Sequence, residues 1–292
     1  MMSIRVNLMA IVLILSAFCG KADNLYIVGD GTLYGWNLDR ATALLPVSGS
    51  QIYSGIVYLK AGQSFKFLTV PEWGYEEYGA VSGTAINDGK VALAKGIFDE
   101  GYDQLFITED ANYHITVNTE SMTAEFEKSS YQETEISLSS LFLVGEATSG
   151  GWNVLDGTPL YQNEEKPYEF SANDIALATG DFKIATTLKG ASTWNGEYWY
   201  FRDSSNPDRI ALNQEGDYKW EITEAGRYDV SVNILDNSIS VSKSEFNAVD
   251  SWNIDQPFES EYYSLTGMKV YNPVKGIYIK KSGSKSKIVM IK

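Results

Sequence analysis

Apolar residues recur along the chain in short runs that alternate with polar ones, and clusters of Gly, Asn, Asp and Ser separate the runs. No apolar period near 3.6 residues is sustained, so the pattern predicts antiparallel β-structure with little helix. The clearest pair is Tyr228, Val230, Val232 and Ile234, then Asp236-Asn237 as a tight turn, then Ile239 and Val241. Tyr113, Ile115 and Val117 alternate in the same way before residues 118–121 turn the chain into Met122, Ala124 and Phe126. Strands of this length with turn signals between them predict two packed sheets, with a closed barrel as the alternative.

The pattern occurs twice. Leu25-Tyr26-Ile27-Val28-Gly29-Asp30 leads to Gly35-Trp36-Asn37, and Leu141-Phe142-Leu143-Val144-Gly145-Glu146 leads to Gly151-Trp152-Asn153. Phe65-Lys66-Phe67 is answered by Phe182-Lys183-Ile184, and Ile107-Thr108-Glu109 before Tyr113 by Ile222-Thr223-Glu224 before Tyr228. A nearly constant offset implies duplication of one domain. The expected fold class is all-β, with two tandem immunoglobulin-like β-sandwich modules and a small C-terminal β element. The boundaries read as a signal peptide at 1–22, module 1 at 23–130, module 2 at 131–244, a linker at 245–260 and the C-terminal element at 261–292. The polar stretch from Lys128 to Ser137 reads as a linker between the modules.

A length of 292 residues accommodates this layout, and a net charge of −15 excludes the basic footprint that nucleic acid requires. Charge also marks the C-terminal element, where residues 261–292 carry seven Lys against one acid. At the other end, Arg5 precedes an apolar run from Leu8 to Phe18 that is too short to span a bilayer. Cleavage after Ala22 gives an exported chain without cysteine; acylation at Cys19 gives a lipoprotein, and the sequence leaves both open.

Catalysis has little support. His114 is the only histidine and falls on the strand face opposite Tyr113, Ile115 and Val117, which excludes a multi-histidine metal site. Glu76-Glu77 and Glu164-Glu165 read as solvated loop charges rather than an acid–base pair. Asp203, Asn206 and Asp208 lack EF-hand spacing, so no metal or cofactor is assigned. Aromatics are more informative: seven Trp and 19 Tyr exceed what a core needs. Trp73-Gly74-Tyr75 with Tyr78, and Trp194, Tyr198 and Trp199, lie in Gly-rich or polar stretches that predict exposed loops able to stack on the C–H face of a sugar. Trp36 and Trp152 fit either a binding surface or a plug at the sandwich end. Lys66 and Lys183 fit either outward-facing strand lysines or donors to sugar hydroxyls. Tyr113, Tyr228 and Trp220 read as core.

Two resemblances follow from these motifs. The segments Tyr263–Val270 and Pro273–Ile279, then Gly283 and the basic end Lys287–Lys292, resemble the C-terminal sorting domain of Bacteroidetes type IX secretion cargo. The Leu-x-x-Val-Gly, Gly-Trp-Asn and Phe-Lys-Phe series resembles the tandem starch-binding modules of the SusE/SusF family over about residues 24–243. That resemblance implies non-catalytic binding of α-glucan at the outer surface, through Trp36, Lys66 and Trp73 in module 1, to which the reading of the aromatic loop adds Tyr75. Module 2 would use Trp152, Lys183 and Trp194 or Trp199. The implied partners are a polysaccharide and other outer-membrane glycan-uptake components, with the membrane involved only through anchoring. The competing class is a structural or adhesive surface protein that binds another protein or a non-starch glycan.

Overall fold

The computed structural model describes residues 24–47, 51–83, 85–87 and 89–244, together with 261–263, 269–270, 276–282 and 285–291 as backbone. The expected leader with Cys19, the linker at 245–260, and Leu265, Gly267, Pro273 and Gly283 of the tail lie outside the described residues. The chain divides into one unit ending at Ser244 and another beginning at Glu245.

In the first unit, module 1 contains β1 (Leu25–Val28), β2 (Thr42–Pro46), β3 (Ile52–Leu59), β4 (Ser64–Leu68), β5 (Glu77–Ala80), β6 (Gly89–Gly96), β7 (Leu105–Phe106), β8 (Ala111–Asn118) and β9 (Thr123–Lys128). Module 2 repeats the series as β10 (Ser140–Val144), β11 (Thr158–Gln162), β12 (Glu169–Leu177), β13 (Gly180–Ala185), β14 (Trp199–Arg202), β15 (Ile210–Leu212), β16 (Trp220–Ile222), β17 (Gly226–Asn233) and β18 (Ser238–Lys243), with one helical turn, α1 (Leu188–Ala191), inserted after β13. Pairing in module 1 runs β1-β2-β3-β8-β9-β6-β5-β4 and closes through β4 onto β1, with β7 added to β4. The sandwich expectation and the barrel alternative thus meet in a ring of strands that encloses one core. Module 2 has the same order, except that its closure between β15 and β18 shrinks to the single bridge Arg209–Ser238.

Strand alternation explains both cores. Phe65, Phe67, Tyr113, Ile115, Val117, Ala124 and Phe126 fill the first, and Phe182, Ile184, Trp220, Tyr228, Val230 and Val232 the second. Each core tyrosine is anchored at its tip: the Tyr113 hydroxyl donates to the Glu109 carbonyl and that of Tyr228 to the Glu224 carbonyl. The turns repeat as well. Asn118 and Asn233 each accept two backbone N–H bonds within the following turn, and Met122 and Asn237 close these turns at positive φ. The β17–β18 connection is therefore the four-residue turn 234–237 rather than a two-residue one.

The Gly of the Leu-x-x-Val-Gly motif is demanded by a strand crossing. Gly29 and Gly145 have φ of +142° and +153°, and a Cβ at these positions would fall 2.4 Å from Phe65 Cα and 2.2 Å from the Asp181 carbonyl oxygen. Gly145→Ala is expected to cost about 2–4 kcal/mol, because neither the backbone conformation nor the neighbouring strand can yield cheaply. A thermal melt of the purified variant checks this, and an unchanged midpoint would contradict it.

A third core joins the modules. The face of β1, β2 and β4 turned away from the first core presents Tyr26, Val28, Ala43, Leu45 and Leu68. These pack with Phe142, Val144, Ala185, Leu188, Tyr198, Trp199 and Phe201 of module 2. Polar contacts surround the seam: Ser139 and Ser140 donate to the Ala43 carbonyl, Gln162 bonds both the N–H and the carbonyl of Ile56, and Arg40 pairs with Glu197 at 3.0 Å. The stretch after Lys128 is correspondingly no free tether. Buried Asn112 donates to the carbonyls of Tyr131 and Thr134 and accepts from the Ile136 N–H, clamping the chain to module 1.

In the second unit, β19 (Glu261–Tyr263), β20 (Lys269–Val270), β21 (Gly276–Ser282) and β22 (Lys285–Ile291) form an antiparallel sheet in the order β20-β19-β21-β22.

Candidate functional site

Each module places the two tryptophans of its motif side by side. In both, the first tryptophan follows a turn fastened by a threonine: Thr32 and Thr148 donate to the carbonyls of Gly29 and Gly145, and the Gly29–Gly35 and Gly145–Gly151 bridges close the loops. Trp36 lies with its ring centroid 6.2 Å from that of Trp73 at 48°, and Trp152 lies 6.2 Å from Trp194 at 53°. Trp36 and Trp152 are partly buried against the intermodule core, so each both seals a core edge and contributes to a surface. Trp73 and Trp194 are 45% and 52% exposed. The inserted residues that include α1 carry Trp194, held at φ +61°, to its position.

The lysines depart from the outward-facing expectation. Alternation that sends Phe65 and Phe67 inward turns Lys66 to the opposite face, yet that face is covered, leaving Lys66 only 2% and Lys183 6% exposed. The Lys66 ammonium donates to Glu77 at 2.7 Å, Asp99 at 2.8 Å and the Tyr102 hydroxyl at 3.1 Å, and lies 4.9 Å from the centroid of Trp73 and 5.6 Å from that of Trp36. Glu77 is therefore a buried counter-ion at the start of β5 rather than a solvated loop charge, while Glu76 beside it pairs with Lys95. Lys183 donates to Asp217 at 2.9 Å and is ringed by Trp199, Phe201, Trp194 and Trp152 at 4.6–5.8 Å. Asp217 also pairs with Lys219 at 2.8 Å.

The difference between the lysine environments has a sequence cause. Leu68 pairs with Glu77, and at the equivalent step Ala185 pairs with Trp199, so Trp199 occupies the place of the module 1 carboxylate. Trp199 is 1% exposed and lies within the intermodule core, which removes it as a stacking surface. It instead backs Trp194, the two rings stacked 5.3 Å apart at 15°. Tyr198, expected on an exposed loop, is buried in the same core. Tyr75 is exposed but faces a groove of about 510 Å³ with Leu155 and Lys189, away from the Trp36–Trp73 cleft. That cleft, of about 370 Å³, is lined by Trp36, Lys66, Trp73, Glu77, Phe98, Asp99 and Gln104. Sequence reading took Glu77 for a loop charge and missed Phe98, Asp99, Tyr102, Gln104, Asp217 and Lys219, which resemble ordinary loop residues until the fold brings them to the two sites.

The hydrogen bond from Lys66 holds the Asp99 carboxyl below the usual aspartate range of 3.8, with Tyr102 and Gln104 assisting and burial opposing. At Asp217 burial pulls upward, but Lys219 and Lys183 together outweigh it and the carboxyl is lowered. Burial, then bonding to Glu77 and Asp99, raises the Tyr102 hydroxyl, which stays protonated as a donor. A depressed folded-state value means that the Asp99–Lys66 contact stabilises fully above pH 3.8 and is lost as pH falls through the lower folded value. The difference in melting temperature between wild type and Asp99→Asn is thus expected to be constant above that range and to shrink below it. An acid-range melting series checks this; a difference independent of pH throughout would contradict it.

Among the described residues, neither the histidine nor the Asp203 loop forms a metal cluster with its neighbours. His114 Nε2 lies 2.7 Å from Ser54 Oγ, and Asp203 Oδ1 accepts from Ser205 and Asn206 within its own turn. The remaining repeated geometry is two tilted tryptophans beside a buried ammonium. Residues 24–126 match the family of SusF/SusE starch specific CBMs. Among solved structures the chain is similar to SusF from Bacteroides thetaiotaomicron, with 20% identity and a TM-score of 0.28 over 75% of this chain and 47% of that one. It spans about half the length of that SusF chain. No curated protein matches. The SusF/SusE match covers module 1, and module 2 is related to it by the internal repeat and the shared strand order.

Proposed function

We propose that the chain is a non-catalytic glycan-binding protein of the cell surface whose ligand is starch or a related α-glucan. The observation that carries this reading is the recurrence of one tryptophan pair, 6.2 Å apart and tilted by about 50°, beside a buried lysine in both modules, the first of which matches the SusF/SusE family. Two flat rings set at an angle form a shallow arc, which suits a curved chain of sugars with C–H faces available for burial. Apolar contact contributes roughly 25 cal/mol per Å² of area buried, so one ring gives weak affinity and several must cooperate. The buried ammonium draws the electron-rich faces together and fixes their tilt before ligand arrives, which lowers the entropy cost of binding.

The remaining parts of the reading concern delivery. Residues 1–22 serve as an export signal, with cleavage after Ala22 or acylation at Cys19. The basic C-terminal element serves in type IX sorting to the outer-membrane surface, or in secretion. There the protein would retain polysaccharide for other glycan-uptake components. Affinity electrophoresis of the mature protein through gels containing amylopectin tests the central claim, with retardation as the expected result. No retardation in any α-glucan gel would overturn the starch assignment, and release of reducing sugar would overturn the non-catalytic one.

A further inference from the structure

The turn from Ile97 to Glu100, after β6, holds two consecutive residues in the left-handed region: Phe98 at φ +55° and Asp99 at φ +60°. Ile97 and Glu100 pair across it as an antiparallel bridge. Positive φ at both central positions is the arrangement that Asn-Gly or Asp-Gly adopts with least strain, whereas a bulky aromatic there is an outlier. The strain is not offset by burial, since Phe98 is 69% exposed. A large apolar ring that neither suits its backbone nor leaves water is a poor contributor to folding.

Its location accounts for it. Phe98 lines the cleft with Trp36 and Trp73, and its ring covers Gly74 so closely that a Cβ at 74 would come within 2.9 Å of it. The turn is pinned from its other residue: Asp99 Oδ1 accepts from Lys66 at 2.8 Å and from Tyr102 and Gln104 at 2.9 Å. Bonds from the buried ammonium and the Gln104 amide, with the single Tyr102 hydroxyl proton shared between Asp99 and Glu77, over-determine a backbone that would otherwise relax.

The same bonds decide what polar contact the cleft can offer. An ammonium has three N–H groups, and those of Lys66 are matched by Glu77, Asp99 and Tyr102, which leaves none for a ligand. Gln104 directs its amide nitrogen to Asp99, a carboxylate that only accepts, so its orientation is fixed. Its Oε1 is buried without a hydrogen-bond partner. Two carboxylates around one lysine disfavour an acidic sugar.

We infer that the Phe98–Asp99 turn is the third wall of the module 1 site, with Phe98 stacking on a neutral sugar ring. The inference rests on the glycan-binding reading. Its test uses the intact protein carrying Trp194→Ala, so that module 1 dominates binding, with amylopectin in gels and a linear malto-oligosaccharide in calorimetry. Phe98→Gly is expected to weaken binding about tenfold, the order that burial of one ring face supports, while the melting temperature stays level or rises as strain is relieved. Unchanged affinity in Phe98→Gly, or affinity and melting temperature falling together, would overturn the inference. Binding that is lost in Trp73→Ala but kept in Phe98→Gly would overturn it alone, whereas no binding by the parent would overturn the glycan reading with it.

Discussion

Lys66→Met is expected to destabilise the protein by about 3–5 kcal/mol, and Lys183→Met by about 1 kcal/mol, although the two lysines occupy equivalent positions. The asymmetry follows from what each leaves behind. Removing the Lys66 ammonium strands Glu77, which is almost fully buried on β5 and retains only the Tyr102 hydroxyl as a side-chain partner. A buried carboxylate without its cation must either stay charged in a poor solvent or take up a proton, and both cost free energy. Removing the Lys183 ammonium strands nothing comparable. Asp217 is 60% exposed at its side chain and keeps Lys219 at 2.8 Å. Melting midpoints of the two variants check this, with the Lys66 variant about 6–20 °C below wild type at the usual scaling for a unit of this size. The double change Lys66→Met with Glu77→Leu should recover most of the loss, because replacing both partners removes the uncompensated charge. Equal losses in the two single variants would show that the Glu77–Trp199 exchange has no energetic weight.

Trp73→Ala and Trp194→Ala are each expected to weaken retention by α-glucan about tenfold or more, and together to abolish it. Both rings are about half exposed, so truncation removes ligand surface without opening a core cavity, and melting temperatures should barely move. The losses compound because two weak sites on one polymer reinforce each other through effective concentration, and either single change removes that gain as well as its own contacts. Trp194→Ala should be the milder of the two. Its removal uncovers Trp199, stacked directly behind it, and so exposes a substitute ring that module 1 lacks behind Trp73. The relevant measurement is relative mobility in amylopectin gels over a range of polysaccharide concentrations. Full retardation in the double variant would refute the assignment of these rings to the ligand.

Much of this architecture was legible because β-structure writes its faces into the sequence at a period of two. Phe65-Lys66-Phe67 and Phe182-Lys183-Ile184 announced both the inward ring residues and the equivalence of the strands, and Tyr113 and Tyr228 fell into the cores as their alternation required. Site residues were less legible because period two identifies a face but not what covers it. Lys66 is on the outer face of its own ring of strands, and its burial depends on Trp36, Trp73 and a turn more than thirty residues away. Glu76 and Glu77 look alike as neighbours in sequence, yet adjacent strand positions point to opposite sides, which gives one to Lys95 and the other to Lys66. Trp199 misled for a longer-range reason. Its polar neighbours suggest a loop, but it lies in a core to which the other module contributes Val28, Ala43 and Leu45.

The core between the modules also limits how the protein can be dissected. A truncation at the polar stretch after Lys128 would look natural on a sequence map, but it would bare Tyr26, Val28, Leu45 and Leu68 on one fragment and Phe142, Val144, Trp199 and Phe201 on the other. Each fragment would carry a sticky apolar face where the intact chain has an interior, and self-association would then compete with sugar in any assay. The two repeats are separable in ancestry yet not in a test tube, so the contribution of each is best assigned by point substitution within the whole chain.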